Sequence, residues 1–130
     1  MLNIGMIGCG DWSKKVLNEI EVNKNYQLTS MVCRDNNVKE ENFKKKIHIF
    51  ENIESLFDAN INDCIYVAGT PDINLYVTEH AKKNKTPLIL EKPLSNNYKN
   101  AQKLQYIAKK NKLLILPNLS NFFSESFFFV

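Results

Sequence analysis

Six short apolar runs punctuate this 130-residue chain, and stretches with helical spacing separate them. Ile4-Gly5-Met6-Ile7, Leu28 to Cys33, Ile47 to Phe50, Cys64 to Ala68, Leu88 to Leu90 and Leu113 to Leu116 have the length of strands. Between them, Val16, Leu17 and Ile20 share one helical face, as do Ile53, Leu56 and Phe57. Ile73, Tyr76, Val77 and Ala81 repeat that spacing, and Ala101, Leu104, Gln105 and Ala108 repeat it with one polar interruption. The segment Val38 to Lys46 is the weakest helix, anchored only by Val38 and Phe43. Regular alternation of strand and helix leaves one main solution, a parallel sheet covered by helices on both faces. Ile65 to Ala68 and Leu113 to Leu116 do not alternate with polar residues, as strands buried on both sides require. The expected fold is α/β, a doubly wound, Rossmann-like parallel sheet of about six strands. Thr70-Pro71 predicts a helix cap followed by Pro in the first turn, and Ser95 predicts the cap of the helix after Pro93.

Composition narrows the function classes. With 44% hydrophobic and 24% charged residues, the chain reads as one globular domain. A chain of this length buries roughly two-thirds of its unfolded surface without any staple. The net charge of +3 is too small to mark a nucleic-acid or membrane surface. Only one cation, Arg34, is an arginine, which argues further against base readout. No run approaches the length of a membrane span, and Met1 to Gly5 lack the features of a secretory leader. Cys9, Cys33 and Cys64 form no Cys-x-x-Cys pair and are odd in number, which reads as thiols in a reducing cytosol. The expectation is a cytoplasmic protein with no metal site, no nucleic-acid partner and no membrane partner.

The first apolar run leads directly into Gly8-Cys9-Gly10-Asp11-Trp12-Ser13, and a helix follows. In that context a glycine turn carries information. Gly8 permits a tight turn, and Gly10 lets backbone N–H groups approach a pyrophosphate at the positive end of the helix. Ser13 stands where the dinucleotide pattern has Gly or Ala, and is small enough for helix–strand contact. Trp12, beside the loop, is a candidate to line a cofactor, with simple packing as the alternative. A methyltransferase also places such a turn after its first strand. It would need an acid at the tip of the second strand.

That tip reads Met31-Val32-Cys33-Arg34-Asp35. Cys33 aligns with the acid that binds a ribose 2′-hydroxyl in NAD enzymes, and Arg34 suits a 2′-phosphate. The expected cofactor is therefore NADP in preference to NAD, with Asp35 able to act as the acid if the register slips by one. Two further turns lie at strand ends, where an open sheet binds its ligands. One is Gly69-Thr70-Pro71-Asp72. The other is Glu91-Lys92-Pro93, in which Lys92 could pass a proton or hydrogen bond to a substrate oxygen while hydride moves.

The combination of Gly8-Cys9-Gly10-Asp11-Trp12, Thr70-Pro71-Asp72 and Glu91-Lys92-Pro93 resembles the glucose–fructose oxidoreductase / inositol dehydrogenase / rhizopine-catabolism (Gfo/Idh/MocA) oxidoreductases. The resemblance covers essentially the whole chain, and the Glu-Lys-Pro triplet is its most specific part. It implies a two-domain NAD(P)-dependent dehydrogenase acting on a sugar, nucleotide sugar or cyclitol. The lysine matching Lys92 is then the catalytic contact to substrate and nicotinamide, and Pro93 shapes the site. Gly8, Cys9, Gly10, Asp11, Trp12, Cys33, Arg34, Gly69, Thr70, Pro71 and Glu91 are the expected cofactor-binding set. The His that many members carry after the Thr-Pro turn is replaced by Leu75, and His48 and His80 read as structural or surface residues.

On this reading, residues 1–118 form the nucleotide-binding domain and residues 119–130 resemble the opening of a substrate domain. Phe122, Phe123 and Phe127 to Phe129 in that tail predict a surface awaiting a partner, hence self-association, with a strand or helix folded back onto the sheet as the alternative. The first 118 residues offer no convincing second acid/base group, so the chain alone is expected to bind dinucleotide without turnover. A non-catalytic nucleotide-binding subunit working with a partner chain is the alternative.

Overall fold

The six runs become six strands of one sheet: β1 (Leu2–Ile7), β2 (Tyr26–Val32), β3 (His48–Phe50), β4 (Cys64–Val67), β5 (Leu88–Glu91) and β6 (Ile115–Asn118). This computed structural model describes residues 1–119 apart from 36, 39–41 and 44. The strand order is β3-β2-β1-β4-β5-β6, and every neighbouring pair is parallel. Chain direction across the sheet reverses between β1 and β4. That switch point is where an open α/β sheet offers a crevice at its carboxyl edge.

Among the described residues, four α-helices link the strands: α1 (Asp11–Val22), α2 (Ile53–Ala59), α3 (Asn74–Asn84) and α4 (Tyr98–Asn111). Their apolar stripes cover both faces of the sheet. Val16, Leu17 and Ile20 of α1 pack with Met6, Leu28, Met31 and Tyr66 on one face. Leu56, Phe57, Val77, Ala81 and Leu104, from α2, α3 and α4, pack with Ile7, Val67, Leu88 and Leu90 on the other. Leu56, Val67, Val77, Leu88 and Leu90 are wholly excluded from solvent. Each such aliphatic side chain stabilises the fold by about 1.5–3 kcal/mol relative to exposure.

Several local expectations are corrected. The cap of α4 is Asn97, whose side chain accepts from the Asn100 N–H at 2.9 Å. Ser95 sits two residues outside, its hydroxyl donating to the Asn97 carbonyl. Thr70 does stand at an N-cap, but of a single 3-10 turn (Pro71–Ile73) that runs into α3, and its side chain makes no capping bond. Tyr76 is off the buried face of α3, which is filled by Asn74, Val77, Thr78 and Ala81. In α4 the second buried anchor is Ile107 rather than Gln105.

The last strand is not buried on both sides. β6 is an edge strand, and Leu114 and Leu116 are exposed. Pro117 pairs with Leu90 in the ladder, and the Leu119 N–H turns back to the Pro117 carbonyl at 3.0 Å. Among the described residues of 38–46 there is no α-helix, and the rest of that expected helix lies outside the described residues. The Phe-rich tail, residues 120–130, lies outside them too.

Cysteine usage is corrected as well. Cys9 and Cys33 form a disulfide, and Cys64 is a free, buried thiol.

Candidate functional site

The chain leaves β1 through Gly8 at φ +109°, a conformation that favours glycine. A Cβ there would lie 3.0 Å from the Ala68 carbonyl oxygen. The turn is tied to both neighbouring strands: the Gly8 N–H donates to Val32 O at 2.9 Å, and the Ala68 N–H to Ile7 O at 2.8 Å. Gly10 then caps α1 without a side chain, and a Cβ at Gly10 would meet nothing within 4 Å. The positive end of α1 therefore opens onto free space. That space is a crevice of about 760 Å³, and Gly8, Cys9, Gly10, Arg34, Gly69 and Thr70 all line it.

The other expected site residues, Asp11, Trp12, Cys33, Pro71, Glu91 and Lys92, are not among those that line it. Ser13 is fully buried, its hydroxyl without a partner among the described residues, as a small residue pressed against the sheet. Asp11 points to solvent and pairs with Lys14 at 3.3 Å, an exposed contact of little energetic weight. Pro71 begins the 3-10 turn. Cys33 is occupied by its bond to Cys9, and its sulfur accepts the Asp35 N–H at 3.2 Å. Asp35 lines the crevice beside Arg34, and one of its carboxylate oxygens accepts the Asn37 N–H at 2.9 Å.

Trp12 and Glu91 meet in a cluster that sequence reasoning did not assemble. The Glu91 carboxylate accepts from Trp12 Nε1 at 2.6 Å, from Asn118 Nδ2 at 2.6 Å and from the Tyr66 hydroxyl. Trp12 Nε1 and Asn118 Nδ2 also lie 3.1 and 3.2 Å from that hydroxyl. The first turn of α1 is thus bound to the ends of β4, β5 and β6. Burial works to raise the Glu91 carboxyl, but Tyr66, Asn118, Trp12 and the Lys92 N–H outweigh it and hold the group below its usual range. Burial and the bond to Glu91 push the Tyr66 phenol up to about 12. Glu91 is held as a carboxylate and Tyr66 as a neutral donor.

Tyr66 and Asn118 were missed because each looked ordinary. Tyr66 sits inside an aliphatic strand and read as core. Its hydroxyl was the available signal, since a buried tyrosine needs a polar partner.

Immediately after this cluster, Lys92 projects into solvent, and the Lys92–Pro93 peptide is cis. Asn74 Nδ2 donates to Leu94 O at 3.1 Å, fastening the segment beyond the triplet to the start of α3. Leu75 packs against the core. His80 lies on α3 with Tyr76 at 4.6 Å and Phe57 at 6.2 Å between ring centroids, and His48 is exposed in β3. Among the described residues no group of His, Cys, Asp and Glu could hold a metal ion. No helix among them is long and apolar enough to cross a membrane.

Residues 2–119 match the Gfo/Idh/MocA family model, described as an oxidoreductase family with an NAD-binding Rossmann fold. The chain belongs to the Gfo/Idh/MocA oxidoreductases. What it contains is that family's NAD-binding domain. No curated protein matches the sequence. Solved structures match the fold at low identity. The scyllo-inositol dehydrogenase of Lactobacillus casei superposes with a TM-score of 0.89 at 15% identity, over 99% of this chain and 40% of that one. The myo-inositol 2-dehydrogenase of Lactobacillus plantarum gives 0.86 at 17%, over 98% and 39%. Biliverdin reductase from Synechocystis sp. PCC 6803, solved with biliverdin and NADP+, gives 0.78 at 18%, over 89% and 37%. This chain of the Gfo/Idh/MocA family thus spans about two-fifths of the length of these structures.

Proposed function

We propose that this domain binds NADP in preference to NAD in the crevice at the β1/β4 switch point. There it serves a dehydrogenase acting on a sugar, nucleotide sugar or cyclitol. The observation that carries the reading is the open space before Gly10, where an uncapped helix terminus meets a glycine turn at the carboxyl edge of the sheet. A pyrophosphate fits that cradle by backbone N–H groups and helix polarity. Bound there, a nicotinamide supplies hydride acceptance or donation at a substrate carbon. Lys92 is the candidate catalytic residue, its exposed ammonium donating to the oxygen on that carbon. Glu91 fixes the strand end from which Lys92 emerges. Two of the matched structures are inositol dehydrogenases, which supports a polyhydroxylated substrate.

Arg34 carries the cofactor preference. It lines the crevice at the end of β2, while Cys33 is bonded and cannot accept from a ribose hydroxyl as a carboxylate does. Isothermal titration should show NADPH binding about tenfold more tightly than NADH, or about 1.4 kcal/mol. Arg34→Ala should remove most of that difference. Equal or tighter binding of NADH by the unaltered protein would refute the assignment of Arg34.

A further inference from the structure

The Cys9–Cys33 bond has one end, Cys9, in the lining of the same crevice, and the hydride-transfer step itself does not use it. Cys9 stands between the two glycines of the turn and lines the crevice. Cys33 is the first residue after β2. The bond joins the two segments that carry the pyrophosphate and the adenosine ribose in the reading above. We propose that Cys9 and Cys33 form a reversible dithiol/disulfide site whose oxidation by a low-molecular-weight disulfide weakens dinucleotide binding.

Three observations support reversibility with an intact fold. The Cα atoms are 5.5 Å apart, inside the range that a disulfide spans without backbone movement. The backbone at this point is already set by β1–β2 pairing out to Ile7 and Val32 and by the Gly8 N–H bond to Val32 O. Dithiol and disulfide therefore share one backbone arrangement, and the change is confined to the crevice. The third is place: Cys9 borders the crevice that a small disulfide or thiol must enter.

The chemistry balances as thiol–disulfide exchange. One cysteine thiolate attacks a sulfur of the small disulfide, forming a mixed disulfide and releasing one thiolate. The second cysteine then attacks the first cysteine's Sγ in that mixed disulfide, closing the protein disulfide and releasing the other small thiolate. The two protein thiol protons end on the two released thiols, and two electrons pass to the oxidant. The bonded sulfurs bridge the glycine turn and the strand tip and lock both side chains beside the crevice that Cys9 lines. Reduction unlocks the two side chains, which can then rotate away from an entering dinucleotide without any backbone change.

The proposal rests on the dinucleotide reading, and the test separates the two. The 130-residue protein is equilibrated with oxidised or reduced glutathione, its Cys9–Cys33 state is read by mass spectrometry, and NADPH, NADH and ADP-ribose are titrated into each form. The reduced protein should bind all three at least fivefold more tightly than the oxidised one, because the obstruction is at the adenosine end they share. Cys33→Ser and Cys9→Ser, whatever their affinity, should bind equally in the oxidised and the reduced buffer. A difference below fivefold, a redox response that persists in Cys33→Ser, or a bridge that reduced glutathione cannot open would each overturn the proposal. Failure of every folded form, the serine variants included, to bind any of the three probes would instead overturn the dinucleotide reading on which the proposal stands.

Discussion

Replacing Tyr66 by Phe removes a single oxygen from the centre of the Trp12–Glu91–Asn118 cluster and leaves the ring, which is 5% exposed, in place. The lost hydroxyl donates to the Glu91 carboxylate and is approached by Trp12 Nε1 and Asn118 Nδ2. A hydrogen bond to a charged group contributes about 1.5–3 kcal/mol. Glu91 is only partly buried, so solvent replaces some of what is lost. The expected destabilisation is about 1–2 kcal/mol at neutral pH, since Trp12, Asn118 and the Lys92 N–H still serve the carboxylate. The pH dependence discriminates this account from simple loss of packing. The Glu91 carboxyl is depressed in the folded protein, so its stabilisation is present above the unfolded value and is lost as pH falls through the lower folded one. Urea unfolding followed by circular dichroism at pH 7 and again below pH 4 should therefore show a difference between the proteins that narrows in acid. A Tyr66→Phe protein as stable as the original at pH 7, or equally weakened at both pH values, would show that Glu91 is not held by this hydroxyl.

Two glycine substitutions should behave oppositely. Gly10→Val places a side chain in open crevice, so circular dichroism should report a retained fold while NADPH and NADH titrations report lost binding; unimpaired binding would remove the loop from the site. Gly8→Ala meets both the positive φ and the Ala68 carbonyl, and thermal or urea unfolding should reveal a loss of at least about 1 kcal/mol, a neutral result contradicting the described turn.

Strand identity was legible because each run is short, apolar and followed by a turn, and the run into Gly8 placed the crevice at once. Helix ends were harder. Ser95 and Asn97 are both good caps, and only the chain's path after Pro93 decides which one meets the first free N–H groups. Leu113 to Leu116 read as interior because an apolar run looks the same at an edge as in the middle of a sheet, and strand order is not a property of any one run. The disulfide had a similar cause. Cys9 and Cys33 each read as a candidate site residue, yet their pairing follows only once β2 is laid beside β1. The Glu91 cluster draws donors from α1, β4 and β6, and no local spacing encodes such a meeting.

The geometry of β6 limits how anything can join the sheet on that side. Successive residues of a strand turn their backbone polar groups to alternate edges. The Leu114 carbonyl accepts from Leu88 of β5, so Leu116 and Asn118 also face inward, and Ile115 and Pro117 face out. Pro117 has no N–H to give, and its carbonyl is already taken by Leu119. Among the described residues, only Ile115 of β6 then keeps a backbone pair without a partner on the outer side, too little to template a seventh strand. A flat run of exposed leucines beside an open edge would ordinarily invite edge-to-edge aggregation, and here one imino acid and one turned-back amide close that route. What β6 presents on this flank is the exposed side chains of Leu114 and Leu116 rather than a ladder to extend.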